Sequence, residues 1–318
     1  MPNQGDPMQD RGKEDIWPHR LALVTASATF PLLFIGGLVT SKGAGLAVPD
    51  WPTTFGYNMF SYPWSQMVGD IFYEHGHRLV ASGVGFLTLF LALVLWFYEK
   101  RVWLRWLGAI ALALVIVQGV MGGLRVVLKE ETLAIIHACF AQAFFALTVS
   151  LVFFTSAEWR DGTQKTKIPG AVRIQRLSLL TTAMIYFQGL LGAMLRYTGA
   201  RLDAHLLFAV LVVVHVVALG WRVLSLPSDK PRLLRPVLLL SGLLVIQLTL
   251  GVGSYLIKFT SLGMTLPPLF GVVLRTTHVV TGALMLVTGL VLTLKSYRFL
   301  AEPDVLTDRR FLSERVPA

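Results

Sequence analysis

Eight uncharged apolar runs, each near twenty residues long, set the terms on which this chain can fold: 21–41, 79–98, 106–124, 132–157, 177–195, 204–221, 236–257 and 276–294. A helix needs about 20 residues to cross the hydrocarbon core of a bilayer. Inside that core an unpaired backbone group is costly, so runs of this length are expected to be helices. The rest of the composition agrees. Charged residues make up 14% and hydrophobic residues 54%, against roughly 25% charged in ordinary soluble proteins. A soluble chain this poor in charge could not cover its surface. The net charge of +10 would suggest nucleic acid if the basic residues shared a polar face. Here they fall in short clusters between apolar runs, so no nucleic-acid partner is expected. Cys139 is the single cysteine, which excludes a disulfide framework and a cysteine metal site.

Two further uncharged stretches are expected to be loops. Residues 51–69 contain Pro52, Pro63 and many polar groups, and 259–274 are broken by Pro267-Pro268. The aromatics Trp51, Phe55, Tyr57, Phe60, Tyr62 and Trp64 suit a loop at the depth of lipid headgroups. With the N-terminus inside, only Lys42, Arg78, Arg125, Lys129, Arg196, Arg201, Lys258 and Arg275 of the 28 Lys and Arg lie in outer segments. The positive-inside rule therefore predicts both termini on the cytoplasmic side. Residues 1–17 are polar and lack the apolar core of a signal peptide.

The basic segment 160–176 divides the chain into halves of four spans, 1–159 and 177–318. Gln118 and Gly122, Gln188 and Gly192, and Gln247 and Gly251 repeat a Gln-x-x-x-Gly pattern in spans three, five and seven. Leu33 and Gly37 stand in that register in span one. Close helix packing explains any one occurrence; three in odd-numbered spans favour duplication. The expected fold is all-α and integral to the membrane, with eight helices in two four-helix bundles. Each half has an even number of spans, so the halves are parallel repeats.

Each even-numbered span carries a histidine near its outer start: His77, His137, His205 and His278. A single histidine there reads as a satisfied polar group. Four at about the same depth are hard to explain so, because polar groups within a membrane are costly. Two pairs result, His77 with His137 and His205 with His278. Neutral imidazole binds iron, copper and zinc. No acid or cysteine recurs in both halves to complete a zinc or copper site, whereas heme iron brings four porphyrin ligands of its own. Arg78 adjoins His77, Arg275 precedes His278 by one turn, and Arg125 and Arg196 end spans three and five on the same outer side, where Arg could grip propionates bidentately. Snorkelling to headgroups is the bland alternative for each. His215 is deeper and has no counterpart, so it reads as a packing or hydrogen-bonding residue. His75 is expected to face solvent, and Cys139 to be a small core residue.

The halves differ at Glu74, three residues before His77 and so on the same helical face. It suits either an acid favoured by the helix dipole or an acid–base group beside a reacting porphyrin.

Glu74-x-x-His77-Arg78, the four histidines, Gly36-Gly37-Leu38-Val39 and Gly43-x-Gly45-Leu46-x-x-Pro49-Asp50-Trp51-Pro52 together resemble heme A synthase over nearly the whole chain. The resemblance implies a heme b cofactor between His205 and His278, with heme O received near His77 and His137. It also implies oxidation of the C8 methyl of heme O to a formyl group, giving heme A for terminal oxidases, with Glu74 as the assisting carboxylate. The implied setting is a bacterial cytoplasmic membrane. Implied partners are heme O, a heme O synthase, membrane lipid and an electron acceptor the sequence does not name; self-association is open. Many members carry a cysteine pair in the first outer loop. Val48 stands at the first of those positions, so no disulfide relay operates there. A di-heme electron carrier is the alternative, and a transporter ranks last because its site would lie near midplane in broken helices.

Overall fold

A computed structural model describes residues 16–160, 165–226 and 231–303. The leader expectation for residues 1–17 and the placement of both termini fall largely outside them. The helices are α1 (Ile16–Lys42), α2 (Asp70–Tyr98), α3 (Val102–Leu128), α4 (Glu131–Thr155), α5 (Ala157–Arg160), α6 (Ala171–Thr198), α7 (Leu202–Leu224), α8 (Pro231–Phe259), α9 (Leu262–Thr265) and α10 (Pro268–Phe299). Eight of these, all but the short α5 and α9, are long and apolar enough to cross a membrane. Large apolar side chains such as Val210, Val214, Val217 and Trp221 point outward, as expected where lipid is the solvent.

All eight spanning helices start before their apolar runs and six also end beyond them, because helix continues past the hydrocarbon into charged flanks. α2 ends at 98 as expected and α4 stops at Thr155, two residues short of 157. The largest differences are at α2, which begins nine residues before the expected 79, and at α10, which begins eight residues before the expected 276. Pro268 occupies its first turn, where the missing N–H costs nothing and the fixed φ favours the helix. The proline pair therefore starts a helix as well as breaking the chain. Segment 160–176 likewise becomes helix from Ala171, and Thr166–Lys167 forms a two-residue parallel pair with Leu300–Ala301.

α1 packs against α2 and α4, and α3 against the same two. α6 and α8 each pack against α7 and α10. Helices α1, α4, α6 and α10 form the contact between the two groups. Phe145, Ala283 and Val287 are buried at that seam, with Phe30 and Leu33 against them. α10 is the most buried span. Small hydroxyls let α6 approach it closely: Ser178 Oγ lies 3.1 Å from Ser296 Oγ and Thr182 Oγ1 lies 3.0 Å from Thr293 Oγ1. Such pairs satisfy polar groups where lipid offers no partner.

Candidate functional site

The four span histidines adopt one arrangement. A Cβ added at Gly36 would stand 3.1 Å from His77 Cε1, and one at Gly122 3.1 Å from His137 Cε1. At Gly192 and Gly251 the distances to His205 and His278 Cε1 are 3.2 Å. Glycine is needed at each position because the imidazole edge takes the space a side chain would fill. In all four rings Nδ1 is buried with no hydrogen-bond partner, although each residue as a whole is half-buried. The other ring edge is therefore the accessible one. A buried imidazole nitrogen left unpaired four times over is unusual for packing residues.

The structure brings the residues together in the expected pairs. The His205 and His278 rings have centroids 6.5 Å apart. That spacing accommodates one metal atom with nitrogen ligands at about 2.0–2.1 Å on each side. His77 lies within electrostatic range of His137, Arg125 and Arg78. Among the described residues no group of three or more His, Cys, Asp or Glu could hold a metal ion. Each pair thus suits a metal that carries its other ligands with it, and a heme fits both the glycine-backed rings and the two-ligand donor set. His278 is ten residues into α10, about 15 Å from its start, deeper along its own helix than expected. It still meets His205, because α10 projects two turns further.

A cavity of about 760 Å³ opens beside His205 and His278, within the size range of cofactor pockets. Arg196, Arg275, Lys42 and Lys258 line it, and none of its lining residues is acidic. Lys42 and Lys258 were visible as outer cations, but nothing in their spacing tied them to the histidines. Arg196 Nη2 also donates to Gly37 O and Ser41 Oγ, both at 2.7 Å. Cys139 reaches the cavity wall, and its carbonyl accepts from the Tyr186 hydroxyl at 3.3 Å. His215 Nδ1 hydrogen-bonds Leu211 O within its own helix at 2.8 Å.

The other half is closed over by the loop between α1 and α2. Arg78 donates through Nη1 to Asp50 O (2.8 Å) and Thr53 O (3.1 Å), and through Nη2 to Val48 O (3.1 Å) and Glu74 Oε1 (3.0 Å). Glu74 Oε2 accepts from Val48 N–H at 2.9 Å. Arg125 Nη2 donates to Gly45 O at 2.9 Å. Trp51 lies against the bare backbone of Gly123, leaving no room for a Cβ there. Gly123 adjoins Gly122, so α3 uses neighbouring glycines for the loop tryptophan and for His137. Arg78 and Arg125 thus hold main-chain oxygens of the loop, and Glu74 is buried in the same network. The sequence pattern gave no sign of this, since the partners lie 25 to 80 residues away.

Two expectations need correction. His75 does not face solvent: it is 1% exposed, lies 3.0 Å from Thr54 Oγ1 through Nδ1, and packs on Tyr62 at 5.0 Å between centroids. α2 starts at Asp70, a turn and more before His75, so this residue sits within the helix and under the loop. The aromatic loop is also divided. Trp64 and Phe60 are exposed, whereas Tyr62 is buried and Trp51 turns inward. The second correction concerns the repeat. Gly36, not Gly37, backs His77, so the position matching the three glutamines is Leu32. Leu32 packs with the core of the first half, while Leu33 packs at the seam.

Asp50 holds the turn of this loop. Burial pushes its carboxyl up, but the N–H groups of Gly56 and Phe55 and the Thr53 hydroxyl outweigh that and hold it at about 2. The folded value lies below the unfolded 3.8. The carboxylate therefore stabilises the turn fully above that pH, and the contribution is lost as pH falls through about 2. Pepsin cleavage within 51–57 is expected to rise between pH 4 and pH 2 relative to cleavage elsewhere. In Asp50→Asn that relative rise should vanish; if both proteins respond alike, Asp50 does not hold the turn.

With the geometry established, sequence comparison supplies relatives. Residues 19–205 match the sequence model of COX15-CtaA, cytochrome oxidase assembly protein. That span includes Glu74, His77, His137 and His205 but not His278. The chain is 29% identical over 188 residues to a heme A synthase of Shouchella clausii (strain KSM-K16), covering 58% of this chain and 60% of the relative. It is 28% identical over 154 residues to a heme A synthase of Alkalihalophilus pseudofirmus, covering 48% and 50%. The matched region thus spans between half and three-fifths of these relatives.

Proposed function

The chain belongs to the cytochrome oxidase assembly protein family, and from that premise we propose that it is a heme A synthase, a membrane oxidoreductase converting heme O to heme A for terminal oxidases. The observation that carries this reading is the set of four glycine-backed histidines with unpaired buried Nδ1 atoms, arranged as two pairs. The names of the relatives agree with it. The histidine-bearing ends of the helices face outward by the distribution of Lys and Arg, in a bacterial cytoplasmic membrane with both termini inside. The two four-helix groups are parallel repeats, 1–159 and 177–318, joined through 160–176.

His205 and His278 would hold heme b, with Arg196, Arg275, Lys42 and Lys258 facing its carboxylates. Bound there, heme b supplies one-electron redox capacity. His77 and His137 receive the substrate, heme O, from a heme O synthase. Oxidising a methyl to a formyl group removes four electrons and four protons when the oxygen comes from water, and the electrons leave to an acceptor. Glu74, held between the Val48 N–H and the Arg78 guanidinium, is the carboxylate able to take a proton near His77. Trp51, Arg78 and Arg125 keep the loop over the substrate site and exclude water. A bidentate propionate contact at Arg78 requires it to release a loop carbonyl or Glu74, whereas Arg125 gives only one N–H to Gly45 O and has others to offer.

A di-heme carrier is the second reading, favoured by the likeness of the four glycine–histidine contacts. Pigment extraction separates the two. The purified chain is expected to yield heme b with heme O or heme A. Heme b alone, at two per chain, would support the carrier instead.

A further inference from the structure

The four glycine–histidine contacts are alike, but the fastening behind each ring is not. Gln118 Nε2 donates to His137 O at 3.1 Å, and Gln188 Nε2 to His205 O at 2.9 Å. Gln188 Nε2 also lies 3.5 Å from His205 Nε2, and Gln247 Nε2 3.4 Å from His278 Nε2. Each glutamine stands four residues before the glycine that backs the same histidine; Gln118 grips its neighbour's main chain, Gln247 lies against the ring edge, and Gln188 reaches both. Oε1 of all three is buried and unpaired, so the amides are held by this one task. In α1 the matching residue is Leu32, which cannot donate.

The turn carrying His77 is fastened differently. Glu74, His75 and Arg78 tie it to the loop 48–54, not to an adjacent helix. Gly76, immediately before His77, has nothing within 4 Å of where a Cβ would be. No close approach requires a glycine there, and in a helix it costs about 0.5–1 kcal/mol relative to alanine. His77 therefore sits on a turn that is held by a loop and not by a neighbouring helix, next to a glycine no packing contact requires.

We propose that His77 is the exchangeable iron ligand of the substrate site and His137 the fixed one, with Gln118 its positioning residue and Leu32 the substitution that leaves His77 free to let go. This rests on the heme-binding reading above. A site that must take in one heme and release another needs one ligand that lets go, whereas a resident cofactor needs two that do not. The glutamines at Gln188 and Gln247 and the leucine at Leu32 divide along that line.

The test uses the full chain in detergent, loaded with ferric heme b as probe, with heme-free myoglobin as scavenger. Heme retention and the low-spin to high-spin balance of the absorption spectrum are read together. Two phases of heme loss are expected, the slower from His205 and His278. His77→Ala should keep the faster-phase heme and shift it to high spin, whereas His137→Ala should lose it. Gln118→Leu should speed the faster phase by about tenfold, the lower range for disturbing a ligand's outer partner. Leu32→Gln should slow it by a similar factor, and Gln188→Leu should alter only the slower phase. Equal loss from His77→Ala and His137→Ala, with Gln118→Leu unchanged, would overturn the proposal while leaving the two-heme reading standing. Uptake of a single heme by the unsubstituted chain would overturn both.

Discussion

Cells that carry Glu74→Ala in place of the unsubstituted chain are expected to accumulate heme O and lose heme A. Two effects combine in that variant. Removing the carboxylate leaves Val48 N–H unpaired and Arg78 without its counter-charge, although the side chains are only 5% and 10% exposed. Breaking such a buried pair costs about 3–5 kcal/mol, and loop 48–54 loosens over the substrate site. The chemical effect is separate, since a positioned proton acceptor contributes roughly 10²- to 10⁴-fold. Glu74→Gln divides the two. Its amide oxygen can still accept from Val48 N–H and Arg78 keeps its three loop carbonyls, so the loop loosens less than in Glu74→Ala although the ion pair is lost, and the amide cannot take a proton. Heme A formation should fall in Glu74→Gln by about the same 10²- to 10⁴-fold, with substrate retention close to normal. Full activity in Glu74→Gln would reduce Glu74 to a loop anchor.

The second large effect falls in the other half. His278→Ala is expected to purify without its resident heme, retaining at least about tenfold less, since even outer partners of a ligand are worth that much. His205→Ala should behave alike, because the two rings face each other at 6.5 Å and the cavity they share is lined by no other histidine. The cavity that remains carries four cations and no acid. Its repulsion is then uncompensated, so both variants should also be less stable at low salt. Retention of normal heme b by His278→Ala would place the cofactor elsewhere. His278 is the sharper of the two tests, as it lies outside the region matched to the family.

The spans and the histidine pairs were legible because both arise from a cost that lipid imposes on every residue. Charges cannot enter the hydrocarbon, so their absence marks the helices, and a histidine that does enter stands out. What could not be read was everything that depends on distant partners. Arg78 looks like a free outer cation until the loop folds back and supplies three carbonyls. His75, next to a glycine and a turn from the expected helix start, gives no sign that Thr54 and Tyr62 will cover it. The register of span one was misread by one residue because Gly36 and Gly37 are adjacent. Only the position of the His77 ring shows which of them it needs. Pro267-Pro268 marks both a break and a beginning, and the sequence pattern distinguishes these poorly since proline suits a first helical turn as well as a loop. The hydroxyl pairs between α6 and α10 were hidden for a related reason: Ser and Thr are tolerated anywhere in a span whose backbone can accept their hydrogen bonds.

The central claim is that this chain turns the methyl of heme O into a formyl group. It is tested most directly by expressing the chain in cells that make heme O but have no heme A synthase of their own, then extracting and separating the hemes from their membranes. The account predicts heme A, appearing with the unsubstituted chain and absent with Glu74→Ala. Membranes that contain the folded chain and yield only heme b and heme O would contradict it.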